Sequence, residues 1–366
     1  MIRNPYSNIN WSTYVKLISA NHWHCSSPTN FMRAYNTGLR HFAISNYQPS
    51  YPTYPLTGNH HWALDPSDIP SDVIASPNSE KVRSSNAMGH TSALGSLSET
   101  PGHLWDTEVD GAFWTWQEKF DEIFDNLQFE DGGGAVVNHP MRSGHDANRQ
   151  RILNFLSYDE RVLGFEVVNH RSQRDYEGRG YAFDLWDWTL KQGYRCYGFF
   201  TPDEHAIPDE PDARLVNYFL GRNVLLVPSL TEQNALRAYR NGEFFGAFFG
   251  DRIAFTNVEL VGNTYTVQTD DAERIDFISY SFVNGEAVEN SVHTVMNNEG
   301  SFTITEDMIF VRAVAYEDAD DVGYSQPIVS EKIFTQPIMF KTVEDVQPDP
   351  EPHDTHEEIK KRLLLV

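Results

Sequence analysis

The sequence contains few cysteines and no long apolar segment. Cys25 and Cys196 are the only cysteines among 366 residues and lie far apart, which excludes the disulfide framework of a small secreted domain. No segment approaches the roughly 20 apolar residues of a membrane span, and residues 1–11 lack the basic and apolar runs of a secretory signal. These absences predict a cytoplasmic protein, although unconventional export or incorporation into a particle would leave no mark in the sequence.

Basic residues are also scarce. The chain has 28 Lys and Arg against 52 Asp and Glu, which gives a formal net charge of −24. A field of this sign repels polyanions and disfavours nucleic acid as a partner. Because bound metal ions reverse the sign of a local field, a small phosphorylated substrate is still compatible with the acidic surface.

The apolar residues are numerous enough for a large core, at 40% of the chain, and the length favours two domains. From residue 12 to about 250, short apolar runs alternate with amphipathic stretches, which is typical of an α/β domain, taken here as residues 1–251. The expected strands are 14–20, 41–45, 135–138, 164–169, 194–200 and 223–228. The expected helices are 113–127, 182–191 and 231–240. The aromatic stripe of the first helix indicates a buried face, with a cofactor-binding stripe as the alternative.

After residue 252 the helical pattern ends. The expected strands there are 254–260, 265–269, 275–282, 301–305, 309–316 and 327–334. Polar turns such as Gly262-Asn263 separate them, so residues 252–342 are predicted to form a small antiparallel β-sandwich domain. Residues 343–366 are acidic and proline-rich and are predicted to be a disordered tail, whose end could alternatively form a short docking helix.

Histidine chemistry belongs to the first domain, since eleven of the fourteen histidines lie at or before His205. His22 and His24 end the first expected strand, and an H-x-H on a strand places both imidazoles on one face. His139 follows the strand 135–138, and Asp203 follows the strand 194–200. Imidazole and carboxylate are ligands of divalent metals. Because strand ends converge at the mouth of a barrel, these groups predict one metal site.

These motifs resemble those of the polymerase and histidinol phosphatase (PHP) superfamily of metal-dependent phosphoesterases. The resemblance covers residues 12–250 through H-W-H at 22–24, GLRHFAIS, PNSE, GHTSALGS, GGGAVVNHP and GYRCYGFFTPDEH. It implies a distorted seven-stranded β/α barrel, a (β/α)7 barrel, that binds up to three divalent ions. Carried over to this chain, the ligands of one ion would be His22, His24, Glu80 and Asp203. Glu80 would bridge to a second ion held by His90 and His139.

The resemblance leaves the third ion with only one of its usual ligands. At two positions where the family usually has metal ligands, this chain has Asn30 and Tyr47, and only His205 is retained. Neutral asparagine and tyrosine are poor substitutes for imidazole. We therefore expect two divalent ions (Mn, Zn or Fe), with His205 as a weak ligand, a substrate contact or a general acid.

Two ions about 4 Å apart suit phosphoryl chemistry, because they activate a bridging water and neutralise developing charge. The leading hypothesis is hydrolysis of a phosphomonoester or phosphodiester by a hydroxide that bridges the ions. Arg142 could bind the phosphate, or form an ordinary surface salt bridge. The alternative is a structural or binding subunit of a larger surface or virion-like assembly, with an oligomer or assembly partner. A nuclease acting on DNA ends is least favoured because the chain has no basic stripe.

Other polar residues were assigned supporting roles. Glu166 and His170 bracket the end of the strand 164–169, and His170 is expected to support the metal ligands. His60, His61 and His103 lie in long loops that are expected to cover the mouth of the site, and His60 or His61 is either a ligand or a surface histidine.

Overall fold

The computed structural model describes residues 2–53, 62–81, 90–98, 115–142, 149–175, 179–205, 221–248, 252–321 and 330–346. Of the predicted tail, only residues 343–346 belong to this part, and they form a short helix.

The described residues contain more strand than helix. The strands are β1 (Val15–Ala20), β2 (His41–Phe42), β3 (Ile74–Ala75), β4 (Glu80–Lys81), β5 (Thr91–Leu94), β6 (Gly134–Val137), β7 (Val162–Asn169), β8 (Tyr197–Thr201), β9 (Gly221–Val227), β10 (Phe244–Phe248), β11 (Phe255–Val261), β12 (Thr264–Thr269), β13 (Arg274–Val283), β14 (Glu286–Glu289), β15 (His293–Val295), β16 (Glu299–Thr303), β17 (Met308–Tyr316), β18 (Lys332–Thr335) and β19 (Ile338–Met339). The α-helices are α1 (Pro28–Asn36), α2 (Trp116–Asp125), α3 (Arg149–Tyr158), α4 (His170–Asp175), α5 (Phe183–Lys191), α6 (Glu232–Asn241) and α7 (Val343–Val346), and a 3-10 helix covers Pro66–Asp68. Within the described ranges, no helix has both the length and the apolar character needed to cross a bilayer.

Local signals in the sequence placed several elements correctly. The expected helix 231–240 is α6, and Thr231 Oγ1 accepts a hydrogen bond from Asn234 N at 3.3 Å, as an N-cap does. Gly242 ends the helix with a φ of 73°, a left-handed conformation that favours glycine. The apolar stripe of α2 is buried in the core, where Phe120 and Ile123 have no exposed surface.

The described strands form three sheets. The largest has the order β14-β13-β17-β18-β10-β9-β1-β2-β3, with β15 and β19 paired to β13 and β17. A second sheet has the order β4-β5-β6-β7-β8, and a third has the order β11-β12-β16. Asn223 in β9 links the first two sheets, because its side chain bonds to both the N–H (3.1 Å) and the carbonyl oxygen (3.3 Å) of Phe200 in β8.

The expected β/α barrel is wrong for the described residues, which form open mixed sheets with no closed barrel. A β/α barrel requires parallel strands joined by helices, but β1 pairs antiparallel with β9, and β5 pairs antiparallel with both β4 and β6. Among the described strands, only the pairs β1-β2, β2-β3, β6-β7 and β7-β8 are parallel. Short apolar runs in a sequence indicate strands but do not determine the direction in which they pair.

The separate β-sandwich is also wrong. β13, β17 and β18 belong to the same sheet as β1 and β9, and β10 joins them by pairing with β9 on one side and β18 on the other. β10 was not among the expected strands; it is an unbroken apolar run that is buried along its whole length. Gly246 in β10 packs so closely on Phe200 that an added Cβ would lie 2.1 Å from its ring. The division of the chain near residue 251 into two folding units stays a prediction.

The core extends from the helices of the first region to the strands of the second. One buried cluster combines Phe120 of α2, Phe155 of α3 and Trp186 of α5 with Phe310 of β17. The C-terminal strands therefore share a core with the helices of the first region.

Candidate metal centre

The structure gathers most of the expected metal ligands at one place, where several strands end. The side chains brought together are those of His22, His24, Glu80, His90, His139 and Asp203. His22 and His24 follow β1, and Glu80 begins β4. Residues far apart in the chain thus meet because their strands end at the same side of two neighbouring sheets.

His22, His24 and Asp203 form a first group with metal-ligand geometry. Their ligand atoms lie within 4.8 Å of one another, and all three residues are buried. Asp203 Oδ1 is 3.2 Å from His22 Nε2 and 3.7 Å from His24 Nε2. Asp203 Oδ2 accepts hydrogen bonds from Arg142 at 2.9 Å and Asn169 at 3.2 Å. One oxygen of Asp203 thus faces the imidazoles while the other is held in place.

A second group with metal-ligand geometry is formed by His22, Glu80 and His139, and it shares His22 with the first. Glu80 Oε1 is 3.3 Å from His22 Nε2 and 3.4 Å from His139 Nε2. The same oxygen is 2.6 Å from His90 Nδ1, and Glu80 Oε2 is 3.3 Å from His24 Nε2. A carboxylate whose two oxygens face different imidazoles has the position that bridging two ions requires. Ligation by these residues stays a prediction.

The donor set fits divalent ions. The Nε2 atoms of His22 and His24 are buried and have no hydrogen-bond partner among the described residues. A buried polar atom without a partner costs free energy, and each such atom needs an explanation. Both atoms point toward the carboxylates of Glu80 and Asp203, and a cation between them would satisfy all four side chains.

The charges of the cluster support the same conclusion. Burial by itself lowers the pKa of His22, but Asp203, Glu166 and Glu80 surround the ring and hold its pKa well above the ordinary value. Burial raises the pKa of Glu80, but the His22 and His90 rings hold that pKa well below its usual range. The carboxylates therefore favour positive charge at this place.

Two of the clustered residues adopt the left-handed backbone region. The φ angle is 30° at His139 and 50° at Asp203. Such angles are uncommon for residues with a Cβ and cost free energy, so they persist only where the surroundings enforce them. His139 N donates to Glu166 Oε2 at 2.5 Å, and Asp203 N donates to the carbonyl oxygen of His22 at 2.9 Å. These bonds hold both backbones in the conformation that turns the side chains toward the cluster.

His90 and His205 lie at the exposed side of the cluster. The side chain of His90 is 33% exposed, and that of His205 is 38% exposed. His205 Nε2 is 3.8 Å from Asp203 Oδ1, and its ring stacks on His24 with 4.0 Å between centroids. Neither residue belongs to the two buried groups, so both are placed where a substrate could reach them.

The two positions at which the sequence lacks the usual third-ion ligands are Tyr47 and Asn30. Tyr47 lies beside His24, with 5.0 Å between the ring centroids. Burial, reinforced by Glu80 and Asp203, raises the pKa of Tyr47 to about 12. The phenol is therefore neutral at pH 7, and a neutral phenol is a weak ligand. Asn30 lies within α1. The number of ions stays a prediction.

Arg142 is tied to the cluster. Besides its bond to Asp203, its Nε and NH2 groups donate to Ser172 Oγ at 3.3 and 3.0 Å. The side chain is 23% exposed, so the guanidinium lies at the boundary between the buried carboxylate and solvent. A role in phosphate binding requires that Arg142 contact the ligand while it remains next to Asp203.

The residue that supports the ligands is Glu166, which the sequence analysis singled out without assigning it this contact. Glu166 Oε1 is 2.5 Å from His22 Nδ1. His170, the expected support, instead pairs with Glu204 at 3.2 Å. A single acid in the otherwise apolar strand β7 is the signal that favours Glu166, because a buried carboxylate must have partners.

Three histidines named from the sequence, His60, His61 and His103, lie outside the described residues. The prediction that their loops cover the site is therefore neither supported nor contradicted.

Comparisons with known proteins give one structural match. No family model and no curated protein matches the chain. The chain is similar to the crystal structure of a two-domain protein containing a predicted PHP-like metal-dependent phosphoesterase from Bacteroides vulgatus. The sequence identity is 14%, the match covers 84% of this chain and 91% of that chain, and the TM-score is 0.43.

Proposed function

We propose that the protein is a metal-dependent phosphoesterase that hydrolyses a phosphomonoester or a phosphodiester. The observation that carries the proposal is the buried cluster of two ligand groups that share His22, in which Glu80 of the second group also lies 3.3 Å from His24 of the first. Two imidazole nitrogens in that cluster, on His22 and His24, have no hydrogen-bond partner among the described residues. Such a cluster is costly to bury unless cations complete it.

Divided between two ions, the ligands would be His22, His24 and Asp203 for one and His90 and His139 for the other, with Glu80 shared. His22 belongs to both geometric groups but has only Nε2 available, because its Nδ1 is bonded to Glu166. His22 can therefore serve one ion, and the second depends on Glu80, His139 and His90. Bound divalent ions would supply Lewis-acid stabilisation of phosphoryl oxygens and lower the pKa of bound water.

Side chains at the rim would complete the reaction. Arg142 is anchored by Asp203 and Ser172 and borders solvent, so its guanidinium is placed to contact a phosphoryl oxygen. His205 is the most exposed of the clustered side chains and is stacked on His24, which orients its ring. At this position it could donate a proton to the leaving group.

The net charge limits the choice of substrate. A chain with a formal charge of −24 repels a long polyanion, whereas a small phosphoester must only approach the locally compensated cluster. We therefore propose a small phosphorylated molecule in preference to a nucleic acid.

The test combines metal analysis with turnover. We expect the purified protein to retain two equivalents of Mn, Zn or Fe and to hydrolyse chromogenic monoester or diester substrates. His139→Ala should lose one ion and nearly all activity, whereas His293→Ala, which changes an exposed histidine on β15, should retain both. Tyr47→Phe should leave the metal content unchanged.

Each contrary result has a distinct meaning. Two bound ions without turnover on a broad phosphoester panel would favour the alternative of a structural or binding subunit. A protein that stays empty at saturating metal would refute the metal centre. Loss of a third equivalent in Tyr47→Phe would show that the expected number of ions is wrong.

A further inference from the structure

We propose that Glu166 is the positioning residue of the metal centre, a single carboxylate that orients three of the ligands on three different strand ends. The inference rests on the metal centre of the proposed function but not on the reaction performed there. Glu166 lies in the middle of β7 and is 1% exposed.

The carboxylate of Glu166 accepts four hydrogen bonds. Its Oε1 is bonded to His22 Nδ1 at 2.5 Å and accepts from Thr201 Oγ1 at 2.8 Å. Its Oε2 accepts from His139 N at 2.5 Å and from Asn169 Nδ2 at 2.8 Å. Both oxygens are thus occupied by protein donors. Glu166 is also outside both geometric ligand groups, so its role is to hold the ligands rather than to join them.

The bond to His22 determines which nitrogen of that ring faces the other ligands. With Nδ1–H donating to Glu166, the lone pair of the neutral imidazole lies on Nε2, the atom 3.2 Å from Asp203 Oδ1 and 3.3 Å from Glu80 Oε1. A carboxylate behind a histidine also makes that histidine a more basic ligand. Glu166 therefore sets both the orientation and the donor strength of His22.

The bond to His139 acts on the backbone. His139 has a φ of 30°, and its N–H points at Glu166 Oε2. A charged acceptor at 2.5 Å favours this otherwise unfavourable conformation. The His139 ring is thereby directed toward Glu80, 3.4 Å away. Without the acceptor, the residue would be expected to relax toward an ordinary backbone angle and withdraw its ring.

The third ligand is reached through one intermediate. Asn169 Nδ2 donates to Glu166 Oε2 and also to Asp203 Oδ2 at 3.2 Å. Asn169 Oδ1 in turn accepts from Ser172 N at 2.8 Å, which fixes which way the amide points. Glu166 therefore aligns Asp203 through the amide of Asn169.

The sharpest test is Glu166→Gln, which keeps the size of the side chain. A glutamine accepts through one atom only, so at least two of the four donors would face its NH2 group. Titration calorimetry with Zn²⁺ and with Mn²⁺ should show an affinity about 10- to 100-fold weaker than that of the wild type. The visible spectrum of the Co²⁺-loaded protein should also change, because a displaced imidazole alters the ligand field.

The matched control is Glu204→Gln, which removes another buried carboxylate close to the site. Glu204 contacts His170, which is outside both ligand groups, and its side chain is 4% exposed. This variant should keep the affinity for Zn²⁺ and the Co²⁺ spectrum of the wild type. An equal loss in both variants would overturn the proposal, since it would show a general effect of removing buried charge.

A second variant covers the case in which Glu166→Gln does not fold. Asn169→Ala removes the bridge from Glu166 to Asp203 and the bond to Ser172 N, but it keeps the bonds of Glu166 to His22 and His139. It should weaken Zn²⁺ binding less than tenfold but measurably, with a changed Co²⁺ spectrum. Wild-type affinity and spectrum in the folded Glu166→Gln protein, or in Asn169→Ala if the former is unfolded, would overturn the positioning role. A wild-type protein that binds no metal would overturn both proposals. A wild-type protein whose metal binding depends on Glu166 but that does not hydrolyse phosphoesters would overturn only the proposed function.

Discussion

Two regions of this molecule bury charged side chains in different ways. In the C-terminal strands, buried acids lie next to guanidinium or ammonium groups: Arg312 of β17 donates three hydrogen bonds of 2.8–3.0 Å to Asp187 of α5. Lys332 of β18 lies 3.1 Å from Asp321, and both side chains are fully buried. At the strand ends of the first region, by contrast, the carboxylates of Glu80 and Asp203 face a group of imidazoles, those of His22, His24, His90 and His139.

The difference distinguishes a structural cluster from a binding cluster. A buried carboxylate next to a guanidinium or ammonium group already has its compensating charge. In the metal centre, Arg142 pairs with one oxygen of Asp203 at 2.9 Å, and the remaining negative charge of Glu80 and Asp203 raises the pKa of His22. A divalent ion bound by three or four of these side chains would compensate both carboxylates more fully than one proton on an imidazole.

The largest effect is expected from breaking the completed pair. Arg312→Ala leaves the carboxylate of Asp187 buried without its partner and should lower the free energy of unfolding by about 3–5 kcal/mol. Urea unfolding measures the change. Replacing both residues, Arg312→Met with Asp187→Leu, should recover most of the loss, because no buried charge remains.

The control for that prediction is an exposed ion pair. Arg237 and Asp131 are 53% and 49% exposed, with 3.8 Å between Nε and Oδ2. Arg237→Ala should cost about 0–1 kcal/mol. If Arg312→Ala costs no more than Arg237→Ala, the Arg312–Asp187 pair does not contribute to stability as described.

A smaller effect is expected from the binding of a divalent ion to the metal centre. Zn²⁺ or Mn²⁺ at about 100 times its Kd should raise the free energy of unfolding of the wild type by about 2.7 kcal/mol. His22→Ala should lose this increment, whereas His293→Ala should keep it. Thermal unfolding with and without chelator measures it. An equal increment in wild type and His22→Ala would place the ion elsewhere.

The smallest effect is expected from Glu331, a buried acid in the C-terminal region. Burial, opposed by the N–H groups of Arg252 and Ile253, raises the pKa of Glu331 from 4.5 to about 7. Between these values the folded protein keeps a proton that the unfolded chain has released. Stability contributed by this group therefore falls as the pH rises, by up to about 1.4 kcal/mol per pH unit.

Glu331→Gln isolates this contribution. The difference in unfolding free energy between wild type and variant, measured from pH 4.5 to 7.5, should shift in favour of the variant as the pH rises. Parallel profiles for the two proteins would mean that Glu331 does not titrate in this range.

Sequence patterns were sufficient where the determining contacts are local. Thr231 and Gly242 marked the ends of α6 because a cap bonds to the nearest turn and a left-handed angle favours glycine at any helix end. The apolar spacing over 113–127 predicted the buried face of α2, although Phe113 lies outside the described residues. The clustering of His22, His139 and Asp203 was also anticipated, because each directly follows a strand.

Strand partners and strand directions could not be obtained in this way. The run FFGAF of β10 has no period-two alternation, because both its faces are buried, and it was overlooked. The barrel was implied by the family resemblance, and the change of pattern after residue 252 indicated a separate sandwich. In the structure, β10 connects β9 to β18 and makes one sheet of strands from both regions.

The sequence by itself thus determined the local elements and which residues carry metal-ligand chemistry, since both depend on side-chain type and on neighbours within a few positions. Only the tertiary structure decided how the sheets are ordered and that Glu166 holds His22, His139 and, through Asn169, Asp203. The physical reason is that a hydrogen bond between strands, or from a ligand to a carboxylate 144 positions away, depends on where packing brings the two chain segments together.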